Sequence, residues 1–379
     1  MRALNTDPVR PAAIMLKRRK LLGLQAPTGA ASPELPRSQA RQRKSTQSKP
    51  LAQAKSTLAL AAAREGSGSY SEAEQLYEQS LKLLSRLKAG DEVVALRVNA
   101  MVSLGSLRIL YGRYAQARRR YLKARELVRV AFGTNSLEMI PALNGLGVVS
   151  KYSGNFDAAE RFYSRALIIA KRILGRDHPE LASLYHNLGG LEHSRGRFAR
   201  AEPFARRSVE IRAKALGPAH PAVAADVAAL AAILDGQGKH GEAEKLYQRA
   251  LAVFRHCYGP FHHEIAVNLG NLAANRQTLG KYKEAERLYR RALGMNEKVL
   301  GSRSPDAALV RNNLGKLLTN QGRPAEAVPL LKAALAIFAD VLASKHPHLR
   351  KVRRNLREAV RGLARESAKA KSKAVMVKL

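Results

Sequence analysis

Residues 280–293 read Gly-Lys-Tyr-Lys-Glu-Ala-Glu-Arg-Leu-Tyr-Arg-Arg-Ala-Leu, and the pattern they carry returns along most of the chain. The glycine stands at Gly68, Gly112, Gly154, Gly196, Gly238, Gly280 and Gly322, with spacings of 44, 42, 42, 42, 42 and 42 residues. Five residues after it comes Ala73, Ala117, Ala159, Ala201, Ala243, Ala285 or Ala327. Nine after it comes Tyr77, Tyr121, Tyr163, Tyr247 or Tyr289, with Ala205 and Leu331 in the fourth and seventh copies. Twelve after it the residue is always small, from Ser80 to Ala334. Seven before it stands Ala61, Gly105, Gly147, Gly189, Ala231, Ala273 or Gly315, each behind a leucine. A fixed period of this length marks an array of identical units.

Each unit reads as two helices. Small residues one helical seven apart, such as Ala285 and Ala292, let neighbouring helices approach, and Leu and Tyr fill the space between them. The glycine ends the first helix, where the backbone must turn left-handed. A second glycine 21 residues later (Gly133, Gly175, Gly217, Gly259, Gly301) ends the second helix. Then come Asp177-His178-Pro179, Ala219-His220-Pro221 and Lys345-His346-Pro347, with Ser304-Pro305 a variant. Proline suits the first position of the next helix, where its missing N–H costs nothing. No stretch alternates with period two, so no strands are expected. One hairpin cannot bury its own apolar face, so the hairpins stack into an all-α superhelical solenoid. Its free end needs a cap. Leu349, Val352, Leu356, Ala359 and Leu363 form one apolar stripe opposite a run of arginines, which predicts a capping helix over 347–366.

The 280–293 run resembles the tetratricopeptide repeat, and the 42-residue length with His-Pro between units resembles the kinesin-light-chain type. The resemblance implies an alpha-solenoid, a right-handed superhelix of seven hairpins over 51–346, with first helices lining a concave groove that holds a peptide or protein. The heptads that kinesin light chains place before their repeats are missing. Nine residues before the turn glycine stand Asn187, Asn271 and Asn313, at an offset where the family uses an amide on a peptide backbone; an amide both donates and accepts. With their neighbours Asn144, His186 and Asn312, and with Lys151, His193, Gln277, Lys316 and Asn320 further along the same face, they make the candidate groove set. The alternative is that these asparagines only pair with neighbouring helices. The family's clamp for chaperone carboxylates is not matched: Ala225, Ala228 and Val267 stand where it needs bases.

The formal net charge is +36, from 66 Lys and Arg against 30 acids. Residues 1–50 and 339–379 carry +9 each, which leaves +18 on the repeats. Part of that is ordered. Seven and eleven residues after the glycine lie Arg119 and Lys123, Arg161 and Arg165, Lys245 and Arg249, and Arg287 and Arg291. Each is an i, i+4 pair on one face of a second helix. Two readings compete: a basic ridge for a polyanion such as RNA, or a solvated outer face partly neutralised by Glu160, Glu202, Glu244 and Glu286. The tyrosines are committed to helix packing, so no stacking platform for single strands is expected.

Residues 1–50 have a disorder-like, basic, Pro-rich composition. An organelle transit peptide, a nuclear-import or nucleic-acid patch at Lys17-Arg18-Arg19-Lys20, and a plain solvated tail all fit it. Residues 367–379 read as a second basic tail. No apolar run reaches the ~18–20 residues of a membrane span; the best, Val223 to Leu234, contains Asp226. Cys257 alone supports neither a disulfide framework nor a cysteine-based zinc site. His262, from the group of His256, Cys257, His262 and His263, sits at the recurring loop offset. No nucleophile motif or phosphate loop is present, so catalysis, cofactors and metals are not expected. The leading expectation is therefore a non-enzymatic, intracellular scaffold for a protein or peptide, cytoplasmic or organellar. The second is a basic component or assembly factor of an RNA-containing complex, for example an organellar ribosome.

Overall fold

A computed structural model describes residues 37–376 apart from 343 and 345, with side chains from 49 to 368. The N-terminal targeting readings, including Lys17-Arg18-Arg19-Lys20, lie outside these residues. The described residues form fifteen helices and no strand. Seven antiparallel hairpins follow one another: α1 (Arg37–Gly66) with α2 (Tyr70–Ser85), α3 (Asp91–Leu110) with α4 (Tyr114–Phe132), α5 (Met139–Tyr152) with α6 (Phe156–Leu174), α7 (Leu181–Ser194) with α8 (Phe198–Leu216), α9 (Pro221–Gly236) with α10 (His240–Tyr258), α11 (His263–Thr278) with α12 (Tyr282–Leu300), and α13 (Pro305–Asn320) with α14 (Pro324–Val341). The last helix, α15 (Pro347–Met376), is longer than the expected cap and runs on into the basic end. The first begins at Arg37, inside the segment read from sequence as an extension.

The repeated offsets are packing positions. The seven alanines five after the turn glycine are fully buried, and the five tyrosines nine after it are at most 1% exposed. The small residue on the first helix faces the aromatic on the second. A Cβ on Gly147 would fall 2.4 Å from the Tyr163 ring, and one on Gly105 2.6 Å from Tyr121. At Gly189, whose partner offset holds Ala205, the nearest atoms are 3.4 Å away. The turns close by the predicted device: Gly68, Gly112, Gly154, Gly196, Gly238, Gly280 and Gly322 all have φ between +72° and +84°. Just beyond each glycine a backbone N–H reaches back five residues, as from Lys239 to the Leu234 carbonyl at 2.9 Å. The loop histidines are N-caps. Nδ1 of His220, His262 and His346 accepts the N–H of Ala222, Glu264 and His348 at 3.1, 3.2 and 3.1 Å. Capping accounts for His262 without a metal.

Two features were not expected. Helix α3 is long and apolar enough, by composition, to cross a membrane, whereas no such stretch was foreseen; it is mostly buried in the core, and its Arg97 donates to the carbonyls of Leu84 and Leu87. The solenoid is also wound so tightly that successive turns touch, more than four repeats apart in sequence. A Cβ at Gly68 would meet His262 at 3.4 Å, one at Gly112 would meet Pro305 and Val341 at 2.8 and 3.0 Å, and one at Gly154 would meet His346 at 3.3 Å. Tyr70 lies over His262, with ring centroids 6.3 Å apart. His346 bonds to the backbone of Tyr152. These three contacts form a seam. The turns at Gly238, Gly280 and Gly322 have open space where a Cβ would project, so the other rim is free.

Candidate functional site

Tight winding changes what the two helices of a hairpin expose. The first helices α5, α7 and α9 have no exposed residue at all. A helix buried all round can be apolar on every face, as α9 nearly is. The second helices are amphipathic and form the outer surface.

Nine of the eleven candidate groove residues are therefore buried: Asn144, Lys151, His186, Asn187, His193, Asn271, Gln277, Asn312 and Asn313, none more than 8% exposed. Lys316 is half-buried and reaches Glu358 of the last helix, and Asn320 is exposed. The asparagine offset points at the preceding hairpin, for a Cβ on Gly145 at that offset would run into the Tyr121 ring. There the amides form a ladder between repeats. Asn187 donates to Asn144 Oδ1 at 2.7 Å, and Asn355 to Asn312 Oδ1 at 2.9 Å. Asn312 in turn donates to Asn313 Oδ1 at 3.2 Å.

Asn271 breaks the ladder. The preceding repeat has Ala228 where an acceptor would stand, and both amide atoms of the fully buried Asn271 lack a hydrogen-bond partner. Nearby in sequence α11 is joined to α9 and α10 by polar contacts. Asn268 donates to the Tyr247 carbonyl at 2.8 Å, and Asn275 donates to Asp235 and to the His240 carbonyl at 2.8 and 3.0 Å. Burial, with the charge of Asp235, holds the Tyr247 hydroxyl well above its ordinary range, so it is a neutral donor. Sequence reading missed a second buried group: Asp226 accepts from Arg212 Nε at 2.6 Å and lies 2.7 Å from His186 Nδ1. Its only signal was one acid inside an Ala/Val helix.

The ridge stands apart from this groove, on the outer face. All eight of its residues are exposed: Arg119 and Lys123 on α4, Arg161 and Arg165 on α6, Lys245 and Arg249 on α10, and Arg287 and Arg291 on α12. The ridge is a solvated outer face, and the four acids expected to offset part of its charge pair with other bases. Glu160 pairs with Arg195 at 2.6 Å, Glu202 with Arg206 and Lys239, Glu244 with Arg276 and Lys281, and Glu286 with Arg290 and Arg323. Most of these pairs join one repeat to the next. Lys123 and Arg249, the second members of their pairs, reach no carboxylate among the described residues. Of the whole ridge only Arg165 has a polar side-chain partner among the described residues, Oδ1 of Asn135.

Comparison with known proteins fits this geometry. Among curated proteins no relative matches the chain. Among solved structures it is similar to the Rap conjugation gene regulator of plasmid pLS20 in complex with the Phr* peptide: 16% identity, 86% of this chain and 82% of that one, TM-score 0.59. A Rap protein complexed with competence and sporulation factor is 14% identical over 82% of this chain and 99% of that one, with a TM-score of 0.50. Kinesin light chain repeats of Podospora anserina are 23% identical over 53% of this chain and 95% of theirs, with a TM-score of 0.41. Residues 96–167, 138–214, 180–256 and 222–298 match one tetratricopeptide repeat model, and 275–341 match a second. The hairpins, their packing offsets and the two repeat models agree: the chain belongs to the tetratricopeptide repeat family.

Proposed function

We propose that the protein is a non-enzymatic interaction scaffold that receives a peptide or protein segment along its first helices, at the junction of the fifth and sixth repeats. One observation carries this reading. Asn271 is sealed in the wall with an amide that nothing answers, opposite the small side chain of the buried Ala228. A buried amide without partners costs about 1–3 kcal/mol, and a peptide backbone, which offers one donor and one acceptor, would recover it. The similarity to a Rap regulator solved with the Phr* peptide supports the choice of partner class. Entry requires the turns to part at the seam, where Leu300, Val299, Val341 and Leu342 also pack against the core of the N-terminal repeats.

The test uses peptides selected for binding to the full chain from a random library. Fluorescence anisotropy then compares the wild type with Asn271→Leu. At least a tenfold loss of affinity, with the melting temperature held, is the expected result. Selected peptides that bind Asn271→Leu as well as wild type would overturn the reading.

A further inference from the structure

The outer ridge holds a second binding surface, independent of the groove. Four i, i+4 pairs of bases stand on the second helices of repeats two, three, five and six, exposed and in no ion pair among the described residues. Exposed bases normally sit among acids that offset them. Here each nearby acid is held by a different arginine or lysine, so the fold uses its acids to join repeats and leaves the ridge uncompensated. Burial, and after it the neighbouring Arg291 charge, pull the Arg255 guanidinium below its ordinary value. Repeat four interrupts the row, since Arg207 at the same offset is tied to Asp177 and Glu210.

We propose that this ridge binds the phosphate backbone of a nucleic-acid duplex without regard to sequence. Six of the eight ridge residues are arginines, whose planar forks match phosphate oxygens; Lys123 and Lys245 add point charges. The pairs rise about 6 Å within each helix and recur on adjacent repeats, two and three and then five and six, so the outer face offers two basic clusters to the phosphates of a polyanion. The repeat tyrosines that would stack on unpaired bases are buried, which favours a duplex over a single strand. Exposed apolar residues on this side, such as Val130, Ile168 and Leu216, are scattered singly, which argues against a bilayer surface.

The experiment measures anisotropy of a labelled random-sequence RNA duplex with the full chain, from about 50 to 200 mM salt. It compares the wild type with a ridge variant that combines Arg161→Gln, Arg165→Gln, Arg287→Gln and Arg291→Gln. A charge-matched control combines Arg353→Gln, Arg354→Gln, Arg357→Gln and Arg361→Gln, and so removes four exposed bases from the last helix. The ridge variant is expected to lose at least tenfold in affinity at the lowest salt, and its log–log salt slope to fall by about two, at 0.9 per phosphate contact for the pair that one bound duplex meets. The control keeps most of the affinity. Equal loss in both variants, unchanged binding by the ridge variant, or binding only to phosphatidylserine vesicles would each overturn the proposal.

Discussion

The turns of the N-terminal repeats and those of the C-terminal repeats have the same backbone and different surroundings. Gly112 and Gly238 share a left-handed φ, +72° and +84°, and the same reach-back hydrogen bond. Yet Gly112 lies against Pro305 and Val341 of the next superhelical turn, and Gly238 faces open space. One glycine therefore meets a local demand and the other meets a local and a long-range demand together. A repeat signature cannot tell them apart.

Substitution separates the two demands. Gly238→Ala should cost only the left-handed penalty, about 1–2 kcal/mol. Gly112→Ala should cost about 2–4 kcal/mol, because the methyl also overpacks the seam. Urea unfolding of the two variants measures the difference; equal costs would mean that the turns do not touch in solution.

The same halves differ inside. Asn187→Ala strips Asn144 of its partner in a buried site and should destabilise by about 1–3 kcal/mol. Asn271→Leu removes an amide that already lacks one and should leave stability unchanged or raise it by about 1 kcal/mol. Calorimetry on both variants checks the sign, and a large loss at Asn271 would show that its amide is satisfied in solution.

The smallest effect concerns pH at the seam. Burial, and to a lesser extent the Arg350 charge, hold the His346 imidazole below its ordinary value of 6.5, although its bond to the Tyr152 backbone pulls the other way. The unfolded chain takes up this proton first as pH falls. The contribution is therefore complete above about pH 6.5 and is lost as pH drops through the depressed folded value. Protonation also removes the Nδ1 acceptor that caps α15 at His348. The melting temperature of wild type should accordingly fall more steeply between about pH 7 and pH 5 than that of His346→Asn, whose amide caps at either pH. Parallel curves would remove His346 from the account.

Much of this molecule is readable in advance because its signals are local. Helix ends, turn glycines, histidine caps and the glycine–tyrosine packing pairs each depend on residues within one hairpin or its neighbour, so the period exposes them. The candidate groove set was legible as a row and misleading as a surface. Which way Asn187 points, and whether it meets water or Asn144, depends on how steeply each hairpin is rotated on the last. The ridge shows the same limit. Glu160, Glu202, Glu244 and Glu286 stand next to ridge bases in sequence, yet they reach across to other bases in the structure.

The amino-acid sequence by itself determined the hairpin, its length and the compulsory stacking, because a chain with this apolar period has no other way to cover its faces. Only the tertiary structure decided the pitch, since small rotations at each repeat add up over the array. That accumulated angle brings Gly154 against His346, closes the inner face and leaves the outer arginines without acids.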